Sequence, residues 1–382
     1  MSLVESLGSS RELLRVYGVP ALLNQLGVFE LSISDTESFT WDFGGMYEVK
    51  VNGGGLVTEV PLEPLRELIV KVEFLDSELL ASSIASFTGS ESYPGILNPL
   101  GWRPLAPAFI DSDLGLPGCI ETSYGPAGSL NIEPLHTSAA TSCTRPSRSP
   151  GVFKARFGVF ELSIEGDVGR VGFNSVVESW DLVAVGTMQA ATLRSHSVSE
   201  VTISHPYRDY YVSLLHVLSF YRFNGEGSFK GLAAVIEGPR GSLAIASPQG
   251  FELTALKGLV KLRFKGELSI ASGGYVEASR LLLERCIRWA AARSTPKPIG
   301  HVRSYRALPV LTLFEDGVAR FNIANPTMAD GSIEVKTYYP LVEARFTTLG
   351  ETMEVRAARD SITLPAPRGY CGFLEVKVRK PF

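Results

Sequence analysis

A chain of 382 residues, 45% hydrophobic and 20% charged, can bury large cores and is sized for two or three domains. Thirty-six basic against forty acidic residues leave a net charge of −4 with no block of Lys and Arg, which argues against a nucleic-acid partner. The start carries acids at Glu5 and Glu12, and no apolar run approaches the ~18 residues of a membrane span, so a cytoplasmic chain without a membrane anchor is expected.

In chain order, Ser9 and Glu12 form a capping box for a short opening helix limited by Pro20. The string Gly-Val-Phe-Glu-Leu-Ser-Ile follows at Gly27–Ile33 and returns unchanged at Gly158–Ile164. Phe29, Leu31 and Ile33 fall on one face of an extended chain and Val28, Glu30 and Ser32 on the other, the alternation of a half-buried strand. Two landmarks follow each copy in the same order. Glu37-Ser-Phe-Thr-Trp41-Asp42 is echoed by Glu178-Ser-Trp180-Asp181, and Pro64-Leu-Arg66 by Pro206-Tyr-Arg208. Three collinear matches point to an internal duplication.

Strands bounded by Gly, Pro, Asn and Asp are expected at Met46–Val51, Leu68–Phe74, Trp180–Val185, Thr192–Ile203, Leu259–Phe264, Val318–Ile323, Ile333–Tyr338 and Phe373–Val378. Tyr207–Phe223 fits a helical stripe but is richer in β-formers, and reads as a buried strand. From Tyr275 to Arg293 a long amphipathic helix is expected, with Glu277, Arg280, Glu284 and Arg288 opposite Leu282, Leu283, Cys286, Trp289 and Ala290. Pro296 ends it, and the Pro-rich Ser294–Pro298 suits a hinge.

The fold class is therefore mainly β: tandem β-sandwich-like domains from a duplication, plus one long helix near 275–293. The expected division is a first β domain at 1–136, a linker or long loop at 137–151, a related second domain at 152–298 and a C-terminal β unit at 299–382.

Four cysteines, Cys119, Cys143, Cys286 and Cys371, show no Cys-x-x-Cys spacing. Cys119 and Cys143 are the pair a disulfide would join, a bond the cytoplasmic reading disfavours. Scarce glutamine, at Gln25, Gln189 and Gln249 alone, with Arg in excess of Lys, suits a thermophile.

Chemistry-bearing motifs are sparse. Ser195, His196, His205 and Asp209 are the only set that could make a nucleophilic triad, and no Gly-x-Ser-x-Gly elbow supports it. His216 lies in an apolar run and reads as a core or edge histidine. None of the five histidines has metal-ligand spacing, so neither metal nor cofactor is expected. Gly53-Gly54-Gly55 and Gly273-Gly274 lack the Lys-Ser/Thr of a phosphate cradle and read as turns. Carboxylate pairs for glycoside hydrolysis could be drawn from Asp111 and Asp113, from Glu30 and Asp42, or from Glu161 and Asp181. The duplicated corners Trp41-Asp42 and Trp180-Asp181, with Glu30 and Glu161, are the candidate ligand-binding residues; filling a corner of each sandwich is the structural alternative.

The strings Val60-Pro-Leu-Glu-Pro64, Phe157-Gly-Val-Phe160, Glu178-Ser-Trp-Asp181 and Ser195-His-Ser-Val-Ser-Glu-Val201 resemble a β-rich archaeal family of unknown function, which implies an archaeal source and no activity. Asn98-Pro-Leu-Gly-Trp102, Leu253-Thr-Ala-Leu-Lys257 and Asn322-Ile-Ala-Asn325-Pro326-Thr327 are similar to the C-terminal β-sandwich region of retaining α-mannosidases. That likeness implies an accessory sandwich, because the catalytic barrel of those enzymes has no room here. The expected function is that of a non-enzymatic β-sandwich binding or interaction protein, with a protein partner or a second copy of itself, or a carbohydrate, as ligand. The alternative is an accessory domain or split subunit of a carbohydrate-active enzyme.

Overall fold

The computed structural model describes residues 29–33, 38–42, 46–50, 55–58, 68–72, 74–112, 119–139, 143–144, 147–148, 154–163, 175–178, 182–187, 189–208, 210–215, 220–224, 226–325, 329–348, 351–355, 360–367 and 371–380. Within them the chain is mainly β, with two helices. The opening helix expected at Ser9 lies outside the described residues, as does His216. The repeated string forms a strand in both places, Phe29–Ile33 and Phe160–Ser163. The first pairs with Leu68–Val72, the second with Lys154–Phe157 and Thr202–Ser204.

One helix was not legible as such a repeat: α1, Ser77–Thr88. Its signals are its caps. The Asp76 carboxylate accepts the amides of Glu78 at 2.9 Å and Leu79 at 3.1 Å, and Gly89 leaves the helix at φ +77°.

A large sheet occupies the middle of the chain. Its strands are β1 (Lys154–Phe157), β2 (Phe160–Ser163), β3 (Ser175–Glu178), β4 (Leu182–Gly186), β5 (Ala190–Ser204), β6 (Tyr211–Leu215), β7 (Phe220–Asn224), β8 (Gly227–Gly238), β9 (Gly241–Leu256) and β10 (Leu259–Ser272). Across the sheet the order is β3-β4-β5-β10-β9-β8-β6-β7, and β2 joins the far end of β5. Within Tyr207–Phe223, expected as one strand, the described residues form two strands, β6 and β7, paired antiparallel.

β5, β9 and β10 are 15, 16 and 14 residues long, well beyond the usual ~5–6. Each has two halves with different surroundings. In one half, Leu193, Ile236, Ile245, Leu268 and Ile270 enter a shared apolar core. The opposite face there is built mostly of small residues, Ala190, Thr192, Ala233, Ala244, Ala246, Ser269 and Ala271, all buried. Small side chains let a helix lie close, and α2 (Tyr275–Arg285) packs on β8, β9 and β10. In the other half, burial alternates along β9 and β10 as it does in a sheet with one wet face.

α2 ends at Arg285, not near 293. Beyond Cys286 the backbone hydrogen-bonds to other strands instead: Ile287–Arg288 runs parallel to Leu75–Asp76, and Ala291–Ala292 pairs with Gly95–Ile96. Thr295–Pro296 pairs with Ser90–Glu91, so the segment read as a hinge is pinned. The expected charged stripe is not a solvated face either, since Glu284 is 0% exposed.

The C-terminal part is β11 (Gly300–Tyr305), β12 (Leu308–Glu315), β13 (Val318–Ala324), β14 (Gly331–Thr337), β15 (Leu341–Thr348), β16 (Glu351–Glu354), β17 (Ser361–Ala366) and β18 (Cys371–Val378). They form two sheets, β11-β14-β17 and β12-β13-β18-β15-β16. Val302, Phe314, Phe321, Val335, Leu364 and Leu374 share one core, which Leu80, Ala81 and Ile84 of α1 join. Cys119 is disulfide-bonded and Cys286 is free and buried. No described helix is long and apolar enough to cross a membrane.

A buried polar set fastens α2 to the distant loop at 102–106. Glu284 accepts Trp102 Nε1–H at 2.9 Å, the Leu105 amide at 2.9 Å and the Ala106 amide at 3.1 Å. Burial pushes its carboxyl above the usual range; Arg285 and these donors pull the other way. Glu284→Ala would leave three donors unpaired and is expected to cost about 3 kcal/mol or more in denaturant unfolding. A loss under about 1 kcal/mol would refute the role of this carboxylate.

Candidate functional site

Where the two halves of the long strands meet, the sheet loses its regular pairing along a line. The register of β5 against β10 shifts between Ser195 and Ser199. That of β8 against β9 shifts between Gly231 and Ala233. Between β9 and β10, pairing stops at Ala246–Ser269 and resumes at Phe251–Phe264. Irregularities on neighbouring strands bend a sheet and release backbone groups from the ladder. Gly250 and Gly266, at φ +83° and +87°, make the backbone conformations accessible there.

Two cavities lie along this line. One, of about 610 Å³, is lined by Ser195, His196, Val198, Gln249, Phe251 and Lys265 among others. The second, of about 560 Å³, runs on over Phe74, Phe109, Asp111, Tyr124, Arg194, Glu267, Arg285, Arg288 and Trp289. They share Ser195, His196, Gln249 and Gly266, and so adjoin as two parts of one cleft region.

The walls of the second cavity are tied together. Tyr124 accepts the His196 amide at 3.0 Å, and the two rings stack at 4.4 Å. The Arg194 guanidinium lies 4.4 Å over the Phe109 ring and donates from Nε to Glu267 at 2.8 Å. Glu267 also lies 3.6 Å from Arg285 Nη1. Arg288 donates to Asp111 at 2.7 Å and to Asp76 at 3.0 Å, joining the cleft to the cap of α1.

The residues expected from sequence fall elsewhere. Glu161 is exposed on β2 and outside the cleft. Glu30, Trp41 and Asp42 sit in the described strands Phe29–Ile33 and Ser38–Asp42, with side chains outside the description. Trp180 and Asp181, like Asp113 and Asp209, lie outside the described residues. Among the described residues no triad assembles around Ser195, whose Oγ bonds Ser197 O at 3.0 Å and Ser199 Oγ at 2.8 Å. His196 lines the cleft, whereas His205 is buried among Phe160, Tyr207 and Tyr210. Among the described residues no group of three His, Cys, Asp or Glu is placed to hold a metal.

Sequence reading missed Tyr124, Arg194, Glu267 and Arg285. Arg194 stands beside the candidate Ser195-His196, but nothing local separates it from any strand arginine. Arg288 was visible only as part of a helical stripe that the chain does not form.

No protein-family model matches this chain and no curated protein does, α-mannosidases included. Among solved structures a polysaccharide lyase is similar at 12% identity with a TM-score of 0.12, over 61% of this chain and 40% of its own. The chain thus spans less than half of that protein's length. A TM-score of 0.12 does not define a fold.

Burial lowers the pKa of His205, and neither ring nitrogen has a hydrogen-bond partner among the described residues. The unfolded chain therefore binds a proton more readily than the folded one. The stability this gives is complete above the unfolded value of about 6.5 and is lost as pH falls through the lower folded value. Melting temperature should drop between about pH 7.5 and pH 5, and the drop should be smaller in His205→Phe. Parallel pH profiles for the two proteins would exclude this origin.

Proposed function

We propose that this chain is a binding protein whose ligand, an extended carbohydrate chain, lies in the cleft along the irregular line of the large sheet. The observation that carries the reading is the adjacency of two cavities, of about 610 and 560 Å³, that share four lining residues on one sheet. A cleft of this length suits a chain of linked rings better than a single small molecule. Phe74, 42% exposed, and the half-buried Tyr124 offer faces against which sugar rings can stack. Gln249 and Lys265, both exposed, offer polar contacts to hydroxyls.

The alternative, an accessory part of a carbohydrate-active enzyme, would use the same cleft. Its three carboxylates, Asp111, Glu252 and Glu267, are each engaged by a guanidinium, from Arg288, Arg263 and Arg194. Glycoside hydrolysis needs a carboxyl free to hand a proton to the leaving group, and each of these is engaged in an ion pair. Binding is therefore the better-supported reading. The duplicated strings at Gly27–Ile33 and Gly158–Ile164 belong, in this reading, to the scaffold and not to the ligand site.

Trp289 lines the cleft and gives a fluorescence signal. Titration with neutral and acidic oligosaccharides should change that signal and raise the melting temperature; saturation at a hundred times Kd corresponds to about 2.7 kcal/mol. Tyr124→Ala should weaken binding about tenfold, and Trp41→Ala should leave it unchanged. If no oligosaccharide of either kind shifts fluorescence or melting, the reading fails.

A further inference from the structure

The wall of the second cavity that carries Tyr124 is a short hairpin. Ile120–Thr122 pairs with the strand Gly125–Leu130 through Ile120, Glu121 and Thr122 alone. Thr122 Oγ1 closes the turn, donating to Gly125 O at 2.7 Å and accepting the Tyr124 amide at 3.1 Å. Of the strand residues only Ile120 is buried, in a small cluster with Phe109, Ala127, Val176, Val183 and Val185. A ladder this short is marginal by itself. Tyr124 at its tip nevertheless accepts the His196 amide and stands edge to face with Phe109, and so closes one side of the cleft.

Directly before this strand stands Cys119, which is half-buried and disulfide-bonded. Cys286 is not its partner: it is free and 0% exposed, and burial pushes its thiol well above the usual range, so it stays out of thiol exchange. Cys371 opens β18, in the C-terminal sheet. Cys143 belongs to the strand Cys143–Thr144, which pairs with the same Gly125–Leu130 as the Tyr124 hairpin does. Ile120 is opposite Ala127 and Cys143 opposite Leu130, so the two segments are anchored three positions apart on one strand, about 10 Å. The antiparallel direction places Cys119 on the Leu130 side of Ile120, towards the separation of about 4.4–6.8 Å between Cα atoms that a disulfide spans.

We propose that a Cys119–Cys143 disulfide is a redox latch on the cleft, holding the Tyr124 hairpin against His196 when oxidised and freeing that wall when reduced. The bond ties together the two ends of the segment that carries the hairpin, so breaking it returns conformational freedom to that segment and leaves the long strands intact. The partial exposure of Cys119 gives a dithiol reductant access. One thiolate of the dithiol attacks the bond and forms a mixed disulfide, which its second thiolate then displaces. The dithiol leaves as a disulfide, and Cys119 and Cys143 become two thiols, each having gained one electron and one proton. The latch acts on the cleft whatever ligand the cleft takes.

The test begins with peptide mapping of the whole chain under non-reducing conditions, which should recover a fragment joining Cys119 to Cys143. Cys119 joined to Cys371, or to nothing, overturns the latch. Hydrogen exchange is then followed with and without dithiothreitol. Reduction should speed amide exchange across residues 120–130 and at His196 about tenfold or more, and leave β12–β18 unchanged. Cys119→Ser should show the faster pattern without reductant and no response to it. Should that variant not fold, the reduced wild-type chain carries the same comparison. Exchange that stays the same on reduction overturns the proposal. So does exchange that rises equally through β12–β18, because the bond would then hold the whole fold and not one wall.

Discussion

The structure turns on a carboxylate with no access to water. Glu284 receives an indole N–H and two backbone amides from the loop at 102–106, and by doing so lays that loop across the small-residue face of the large sheet. Arg285 and Thr192 both donate to Pro107 O, at 3.1 and 2.7 Å. Helix, loop and sheet are thereby one unit. Burying a charge is costly unless it is hydrogen-bonded on several sides, and the donors supplied here come from a stretch with little regular structure to hold it otherwise. The cleft depends on this clamp, because Phe109, Ile110 and Asp111 follow that loop directly and form one of its walls.

The segment from Phe74 to Asp111 also links the C-terminal core to a smaller apolar cluster on the large sheet. Its helix α1 joins the C-terminal core, while Phe109 packs with Val176, Val183 and Val185 behind the large sheet. Ser77 exchanges hydrogen bonds with the backbone of Ala290, and Asn98 bonds the carbonyls of Trp102 and Ile132, all in the interior. Arg288 bonds both Asp76, the cap of α1, and Asp111 in the cleft. Folding of this connecting segment and assembly of the candidate site are the same event.

What could be read from sequence was what alternation and composition encode. Strands with a wet face, such as Val318–Ala324 and Gly331–Thr337, were placed to within two residues, because every second side chain is apolar. The run after Cys286 misled for a physical reason. Trp289 and Ala290 are buried, at 2% and 1% exposure, and their spacing imitates a helix, but their backbone pairs with distant strands. The site itself was hidden more deeply. Its residues come from six or more separate segments, and the irregularity that creates the cleft is a mismatch of strand lengths between neighbours, which no single strand displays. Only Gly250 and Gly266, each inside a run of β-formers, mark it in the sequence.

The long strands carry one more consequence. Along β5, burial is nearly complete from Ala190 to Ser195 and then gives way to exposed positions through His196, Ser197 and Val198. A single strand thus belongs to two regions of unequal local stability. Amides in its first half are closed off by core on one side and the loop through Pro107 on the other, and their protons exchange with solvent only when the molecule opens broadly. Those at the irregular line exchange through small local openings. The cleft is bounded by a part of the sheet that can yield by itself while the rest of the same strands stays shut.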